Sequence, residues 1–305
     1  MAKPLRLGTR ASPLARAQAQ LVADALIAAH GLAQDAITFV PIVASGDKIQ
    51  DRALAEVGGK ALWTKELDQA LASGQIDLAV HSMKDVETQR PPHFRLAAML
   101  ERADVRDRLI GCPRIVALKQ GAIVGTSSPR RRAQLLRLRP DLKIVLFRGN
   151  VATRLAKLDA GEVDATLLAA AGLERLDMPQ TGTPIPLETM LPAPAQGAIG
   201  IEIRANDARL SALVVPINHR PTFDCVMAER AFLAGVGGDC RSAIAALAEQ
   251  EGDGIRLRAE LYNPNDVERV TGAVRFAPDD ARAPHALAAE LLGQASPELR
   301  GYFAG

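Results

Sequence analysis

Aromatic residues are scarce in this chain of 305 residues: they make up 3% of it, with one Trp and two Tyr. A surface that stacks unpaired bases needs such rings. Their scarcity argues against single-strand nucleic-acid binding and leaves the cores to Leu, Ile, Val and Ala, within a hydrophobic content of 48%. Cysteine is sparse too. Cys112, Cys225 and Cys240 are an odd number, and no pair stands at metal-ligand spacing, so neither a disulfide framework nor a cysteine metal site is indicated. The opening MAKPLRLGTRASPLA lacks the apolar core of a secretory signal. No apolar run approaches the roughly 18 residues of a membrane span. A folded protein of the reducing cytoplasm, with free thiols, is expected.

Net charge is only +2, yet its distribution is uneven. Between Thr126 and Leu158 lie nine basic residues, seven of them Arg, and one acid, Asp141. A local excess on a near-neutral chain suggests a local anionic ligand, although a solvated helix face would look the same.

The first two thirds alternate strand and helix patterns. Strands are predicted at Leu5–Thr9, Ile37–Val43, Asp77–Met83, Arg95–Leu100, Ala122–Ser127, Lys143–Arg148, Asp164–Ala170 and Ala198–Arg204. Helices are predicted at Pro13–Ala29, Lys60–Ala72, Pro129–Arg137, Val151–Asp159 and Asp207–Leu213. This alternation implies α/β layers with mainly parallel sheets. Two internal echoes then suggest two similar lobes meeting at a cleft. Leu7-Gly8-Thr9-Arg10-Ala11-Ser12-Pro13, followed by Arg16-Ala17-Gln18, returns one residue shorter as Val124-Gly125-Thr126-Ser127-Ser128-Pro129, followed by Arg132-Ala133-Gln134. Ser73-Gly74-Gln75-Ile76-Asp77 returns as Ala160-Gly161-Glu162-Val163-Asp164. The chain is expected to cross between lobes near Met99–Asp107 and to return through Leu191–Gly197. A third part follows, with a helix at Phe223–Leu233, an apolar run at Ala243–Ala248, a hairpin of Ile255–Tyr262 and Val267–Phe276 turning at Asn263–Asp266, and a closing helix at Pro284–Leu292.

Four constellations carry chemistry. The strand-to-helix turns at Ser12 and Ser128 offer free N–H groups with Thr9, Thr126 and Ser127 beside them; plain helix capping is the alternative reading. Arg130, Arg131 and Arg132 at a helix start oppose the dipole, which suggests that a ligand supplies the missing negative charge. Arg148, Arg154 and Arg175 also stand at strand ends or first helical turns. With Phe147 as the only aromatic nearby, a small polycarboxylate suits them better than nucleic acid. In His81-Ser82-Met83-Lys84-Asp85, the end of a strand presents an acid for proton transfer beside a cation, or else a surface ion pair; His81 reads as structural. Finally, Gly235-Val236-Gly237-Gly238-Asp239-Cys240 leaves a thiol either accessible on a flexible loop or packed as a structural residue.

Taken in order, LGTRASPLA, VHSMKDV, VGTSSPRRRAQ, RGNVATRL, LPAPAQGAIGIE and ERAFLAGVGGDC span nearly the whole chain and resemble the porphobilinogen deaminase family. Pro129 where Leu is usual, Asp239 where Gly is usual and Trp63 where Phe is usual are departures. The charge of Asp239 would raise the pKa of the neighbouring thiol.

The resemblance implies an α/β fold of three domains. Two are lobes like those of periplasmic binding proteins (1–99 with 198–216, and 100–197). The third, 217–305, is a smaller α/β domain with an antiparallel sheet. It implies that Cys240 holds a dipyrromethane cofactor through a thioether and that Asp85 is catalytic. Lys84, Ser82, Thr126, Ser128, Arg130, Arg131, Arg148 and Arg154 would bind the cofactor. Arg10, Ser12, Gln18, Arg148, Arg154, Arg175 and Gln196 would bind substrate. The implied partner is porphobilinogen, a small molecule, with no metal, nucleic acid or membrane, and the implied state is a monomer. A two-lobed, non-catalytic binding protein for a polycarboxylate is the rival; it would need no thiol anchor.

Overall fold

The alternating patterns become two five-stranded sheets and one three-stranded sheet in the computed structural model, which describes residues 4–43, 64–239, 242–264 and 268–303. Along the chain run β1 (Leu5–Arg10), α1 (Pro13–His30), β2 (Ile37–Ile42), α2 (Lys65–Ala72), β3 (Leu78–Ser82), β4 (Phe94–Met99), β5 (Asp107–Ile110), β6 (Ile123–Gly125) and α3 (Pro129–Leu138). Then come β7 (Lys143–Val145), α4 (Val151–Asp159), β8 (Ala165–Ala169), α5 (Ala170–Glu174), β9 (Thr183–Pro184), β10 (Ile199–Arg204), α6 (Ala208–Val214) and α7 (Arg220–Gly235). The C-terminal part adds β11 (Ile244–Glu251), β12 (Gly254–Tyr262), β13 (Arg269–Phe276), α8 (Ala283–Gln294) and α9 (Pro297–Gly301).

The chain divides into two compact units. Unit 1 holds the described residues of 1–50, 59–103 and 197–223; unit 2 holds those of 104–196 and 224–305. The sheet of unit 1 has the order β2-β1-β3-β10-β4, and the five-stranded sheet of unit 2 has the order β7-β6-β8-β5-β9. In both, the first three strands of the order are parallel, while the fourth is antiparallel to both of its neighbours. The sheets are therefore mixed, which corrects the expectation of mainly parallel ones. The antiparallel members, β10 and β5, enter at the connections between units. A strand that enters there is not bound to the strand-helix-strand path that keeps neighbours parallel.

The echoes share their local geometry. Ser12 Oγ accepts from Ala15 N at 3.3 Å, and Ser128 Oγ from Arg131 N at 3.4 Å; each opens a helix with Pro in its first turn. Asp77 accepts from Arg6 N at 2.8 Å while its own N–H returns to Arg6 O. Asp164 does the same with Ile123, at 2.7 Å. Gly74 (φ 72°) and Gly161 (φ 74°) take the left-handed backbone that ends the preceding helix. A Cβ on Gly8 would strike Ile76, and one on Gly125 would strike Phe147.

The C-terminal sheet is the antiparallel meander β11-β12-β13. Phe232 of α7, Val236 just after it, and Leu287 and Leu291 of α8 pack with Leu257 and Leu261 on one face. On the other, Ala245, Leu247 and Tyr262 meet Ala133 of α3 and Leu191. Each large apolar side chain so buried contributes about 1.5–3 kcal/mol. Cys225 belongs to the first of these cores.

Several elements escaped the sequence reading. β5 lies at the edge of what reads as a connection, because Asp107 and Arg108 disguise a buried strand. β9, α5 and α9 are too short for a period to show. The strand expected to reach Arg148 stops at Val145. Residues 60–63 of the expected helix, residues 265–266 of the expected turn and Val267 lie outside the described residues.

Candidate active site

In unit 1 the apolar run of β3 ends in His81 and Ser82, and a single 3-10 turn, Met83–Asp85, follows. Met83 is buried and packs where a Cβ on Gly200 of β10 would stand. This pins the turn and leaves Asp85 half-buried. Asp85 lines a cleft with Arg10 from the end of β1, Gln18 from α1, Ser82 and His81. Gln18 is 3% exposed, and its Nε2 has no hydrogen-bond partner. A buried amide with an unused donor is costly unless a ligand accepts from it. Lys84 is half-buried on the same turn. Ser12 caps α1.

Behind this cleft lies a charged cluster that sequence reasoning missed. Glu202 of β10, fully buried, accepts from Arg90 Nε at 2.9 Å and Arg90 Nη2 at 2.8 Å. His81 Nε2 stands 3.2 Å from its Oε2. Arg90 also donates to Asp68 at 2.5 Å and to Glu87 at 2.6 Å. Burial alone would raise the Glu202 carboxyl, but the bonds and charges of His81 and Arg90 outweigh it and hold it at about 2. Burial pushes Asp68 up despite Arg90. The only signal in the sequence was a lone Glu inside the apolar strand Ile199–Arg204.

In unit 2 the start of α3 carries the arginines. Thr126 is buried and its Oγ1 accepts from Ser128 N at 3.2 Å. Arg130 and Arg131 are 2% and 6% exposed. Their Nη2 atoms lie 2.8 and 2.7 Å from the two oxygens of Asp107, the first residue of β5. Arg131 Nη1 donates to Leu167 O at 2.8 Å. The missing negative charge expected from a ligand is thus supplied within the chain, by an acid on a strand the sequence did not reveal. Burial would raise Asp107, but Arg130, Arg131 and the Gln196 amide hold it well below the usual carboxylate range. One carboxylate nevertheless serves two guanidiniums, and Nε of both Arg130 and Arg131 is buried without a hydrogen-bond partner. Cationic donors left over in a buried pair fit a carboxylated ligand such as a dipyrromethane.

The other predicted groups of unit 2 are placed as follows. Arg148 is buried in the loop after β7. Asn150 caps α4, and Arg154 Nε donates to Gly149 O at 3.0 Å. Arg175 follows α5, and burial lowers its guanidinium to about 10. Gln196 is buried and donates to Val105 O at 2.7 Å and to Asp107 Oδ1 at 2.9 Å. Its loop contains Ala195, held at φ 61°, a strained value for a residue with a Cβ. The fully buried Glu229 of α7, also missed from sequence, accepts from Ala195 N at 2.5 Å and Ala248 N at 2.7 Å. Cys240 and Trp63 lie outside the described residues. Asp239 N donates to Ser242 Oγ at 3.0 Å.

Among the described residues, no helix is long and apolar enough to cross a membrane, and no group of three or more His, Cys, Asp or Glu residues is arranged to hold a metal. The model of the porphobilinogen deaminase, dipyromethane cofactor binding domain matches residues 5–212, and that of the porphobilinogen deaminase C-terminal domain matches residues 223–293. A porphobilinogen deaminase of Sphingopyxis alaskensis is 61% identical over 307 residues, covering 99% of this chain and 97% of that one. One from Paracoccus denitrificans is 50% identical over 297 residues, covering 96% and 95%. Among solved structures, a probable amino-acid transporter binding protein of Bacillus subtilis aligns with a TM-score of 0.41 and 13% identity, over 76% of this chain and 97% of that one. Over both of its matched parts and nearly its full length, this chain belongs to the porphobilinogen deaminase family.

Proposed function

We propose that this chain condenses four porphobilinogen molecules head to tail into hydroxymethylbilane, releasing ammonia at each step, with Asp85 as the catalytic acid. The observation that carries the assignment of roles is the unit 1 cleft, where Asp85 shares a wall with Arg10, Ser82 and the unpartnered amide of Gln18. Porphobilinogen carries two carboxylates and an aminomethyl group. Arg10, with Ser12 and Gln18 beside it, donates charge-assisted bonds to the carboxylates. Asp85 assists proton transfer as ammonia leaves the substrate, and its carboxylate then stabilises the pyrrole cation that remains.

Lys84 and Ser82 of unit 1, and Thr126, Ser128, Arg130 and Arg131 of unit 2, are assigned to the dipyrromethane carboxylates. Arg148 and Arg154 serve both cofactor and growing chain, and Arg175 and Gln196 serve the chain. When bound, the dipyrromethane supplies the pyrrole carbon that the first substrate unit joins. Cys240 is assigned as its thioether anchor, which keeps that carbon at high effective concentration. The chain is taken to act as a cytoplasmic monomer, and 217–305 as a third domain. A nucleic-acid role finds no support in the basic stretch: Arg130 and Arg131 are buried against Asp107, and Arg139 is paired with Asp141. Displayed phosphate-binding cations would look different.

The test is the intact mass of the purified chain. It is expected to exceed the sequence mass by one dipyrromethane, carried on the peptide containing Cys240, and Cys240→Ala is expected to lose both adduct and activity. Full activity with an unmodified Cys240 would sink the assignment.

A further inference from the structure

Arg130 does not reach its position through helix α3 alone. Its Nη1 donates to Gln134 Oε1 at 2.9 Å and to Leu191 O at 2.9 Å. Gln134, 2% exposed, donates from Nε2 to the same Leu191 O at 3.0 Å and to Glu260 Oε2 at 3.4 Å. Glu260 lies on β12 of the C-terminal sheet. It accepts from the Tyr262 hydroxyl in a short bond and from Arg269 Nη1 at 3.0 Å. Burial and the neighbouring Glu260 charge push the Tyr262 hydroxyl well above its ordinary range, so it stays a donor. The order is unbroken: Arg269 and Tyr262 fix Glu260, Glu260 orients the Gln134 amide, and the amide oxygen is thereby turned toward Arg130. An amide has distinct ends. With its N–H₂ held by Leu191 and Glu260, Gln134 can present only its oxygen to the guanidinium.

The internal echo supplies the control. Gln18 occupies the same helix position in unit 1 and is equally buried, yet its Nε2 has no partner. The helix sequence therefore does not satisfy this amide; the Leu191 carbonyl and Glu260 of the C-terminal sheet do.

We propose that Gln134 and Glu260 are positioning residues for Arg130, so that the sheet following the cofactor cysteine also sets the guanidinium that receives the cofactor carboxylate. The inference rests on the assignment of Arg130 to the dipyrromethane. Attachment and carboxylate recognition then depend on one folded part, and disturbing Glu260 should impair cofactor assembly.

The experiment uses the full chain freed of cofactor by expression in cells that make no porphobilinogen. Porphobilinogen is added and the growth of the cofactor adduct is followed by intact mass, with thermal unfolding measured in parallel. Gln134→Glu sets two carboxylates against each other. It should slow loading at least about tenfold, the worth of one hydrogen bond to a charged group. Adding Glu260→Gln restores a donor and an acceptor with the direction reversed and should return loading to within about threefold of the parent, as expected of coupled neighbours. Gln134→Met removes the acceptor without adding charge and gives the same comparison if the like-charged pair prevents folding. Loading at the parent rate in a folded Gln134 variant, or a double variant no faster than Gln134→Glu, would overturn the inference. Arg130→Leu separates the two levels: normal loading in that variant would overturn the role of Arg130 itself.

Discussion

The two five-stranded sheets share a topology but bury opposite things at matching places. Ile199 of β10 pairs with Ser82, and Asp107 of β5 pairs with Ala169, so the two residues are equivalent. The helix that follows Ser12 and Pro13 continues with Leu14 and Ala15, where the helix that follows Ser128 and Pro129 carries Arg130 and Arg131, which pair with Asp107. Unit 1 thus has an apolar helix start where unit 2 has a buried ion triad. The reverse holds deeper in the sheets. The His81 and Glu202 pair of unit 1 corresponds by register to Leu168 and Ile110 of unit 2, which pack in an apolar cluster with Leu173. Asp85 itself falls opposite Gly172. One framework has been loaded with an acid and its support in one copy, and with cationic donors in the other. Buried ion groups add little net stability over apolar packing of equal volume. Their presence at different positions in the two copies is better explained by what each copy binds or does than by what the fold requires.

Transplanting one copy into the other would break this comparison most sharply. Asp107→Leu leaves two buried guanidiniums without a counter-charge and should cost roughly 3–5 kcal/mol, read by chemical denaturation. The triple variant Asp107→Ile, Arg130→Leu, Arg131→Ala copies the apolar arrangement of unit 1. It should recover most of that loss and still fail to acquire the cofactor mass. A triple variant as unstable as the single one would show that the ions serve the fold.

Acid separates the copies next. Glu202 is held at about 2, below its unfolded value. Its contribution is therefore complete above the ordinary glutamate range and is lost as pH falls from about 4.3 toward about 2, a loss of about 3 kcal/mol. Glu202→Gln should remove this part of the slope of stability against pH. An unchanged acid slope would mean that Arg90 is neutralised adequately by Asp68 and Glu87.

The third contrast is kinetic. Asp85→Asn should lower turnover by two or more orders of magnitude, about 2.7 kcal/mol on the barrier, with substrate binding affected less. Gly172→Ala, at the matching position of unit 2, should leave turnover near the parent value, measured as ammonia release under saturating porphobilinogen. Near-normal turnover in Asp85→Asn would move the chemistry to another group.

Much of this was legible in the sequence because the signals are local. Ser12-Pro13 and Ser128-Pro129 specify helix starts through the geometry of a cap and a fixed φ, and Gly74 and Gly161 specify helix ends through a backbone that other residues rarely adopt. These pairs revealed the duplicated framework, and with it the strand end that carries Asp85. Asn263-Pro264 correctly announced the hairpin of β12 and β13. Three consecutive arginines at a helix start mark a conflict that suggests a ligand; the structure adds an acid of the chain itself, Asp107, as counter-charge to two of them.

The resolving partner, Asp107, stands 23 residues upstream of Arg130, on a four-residue strand with no readable period. Glu202 meets Arg90 across 112 positions, and Gln134 meets Glu260 across 126. Caps, turns and alternation are fixed by neighbours along the chain, and those the sequence determined by itself. Which buried charge is paired, which amide end faces a guanidinium and which donor is left over for a ligand depend on groups brought together only by sheet pairing and helix packing. In a low-dielectric interior a polar group without a partner within hydrogen-bond reach is costly, and which groups meet was decided by the tertiary structure alone.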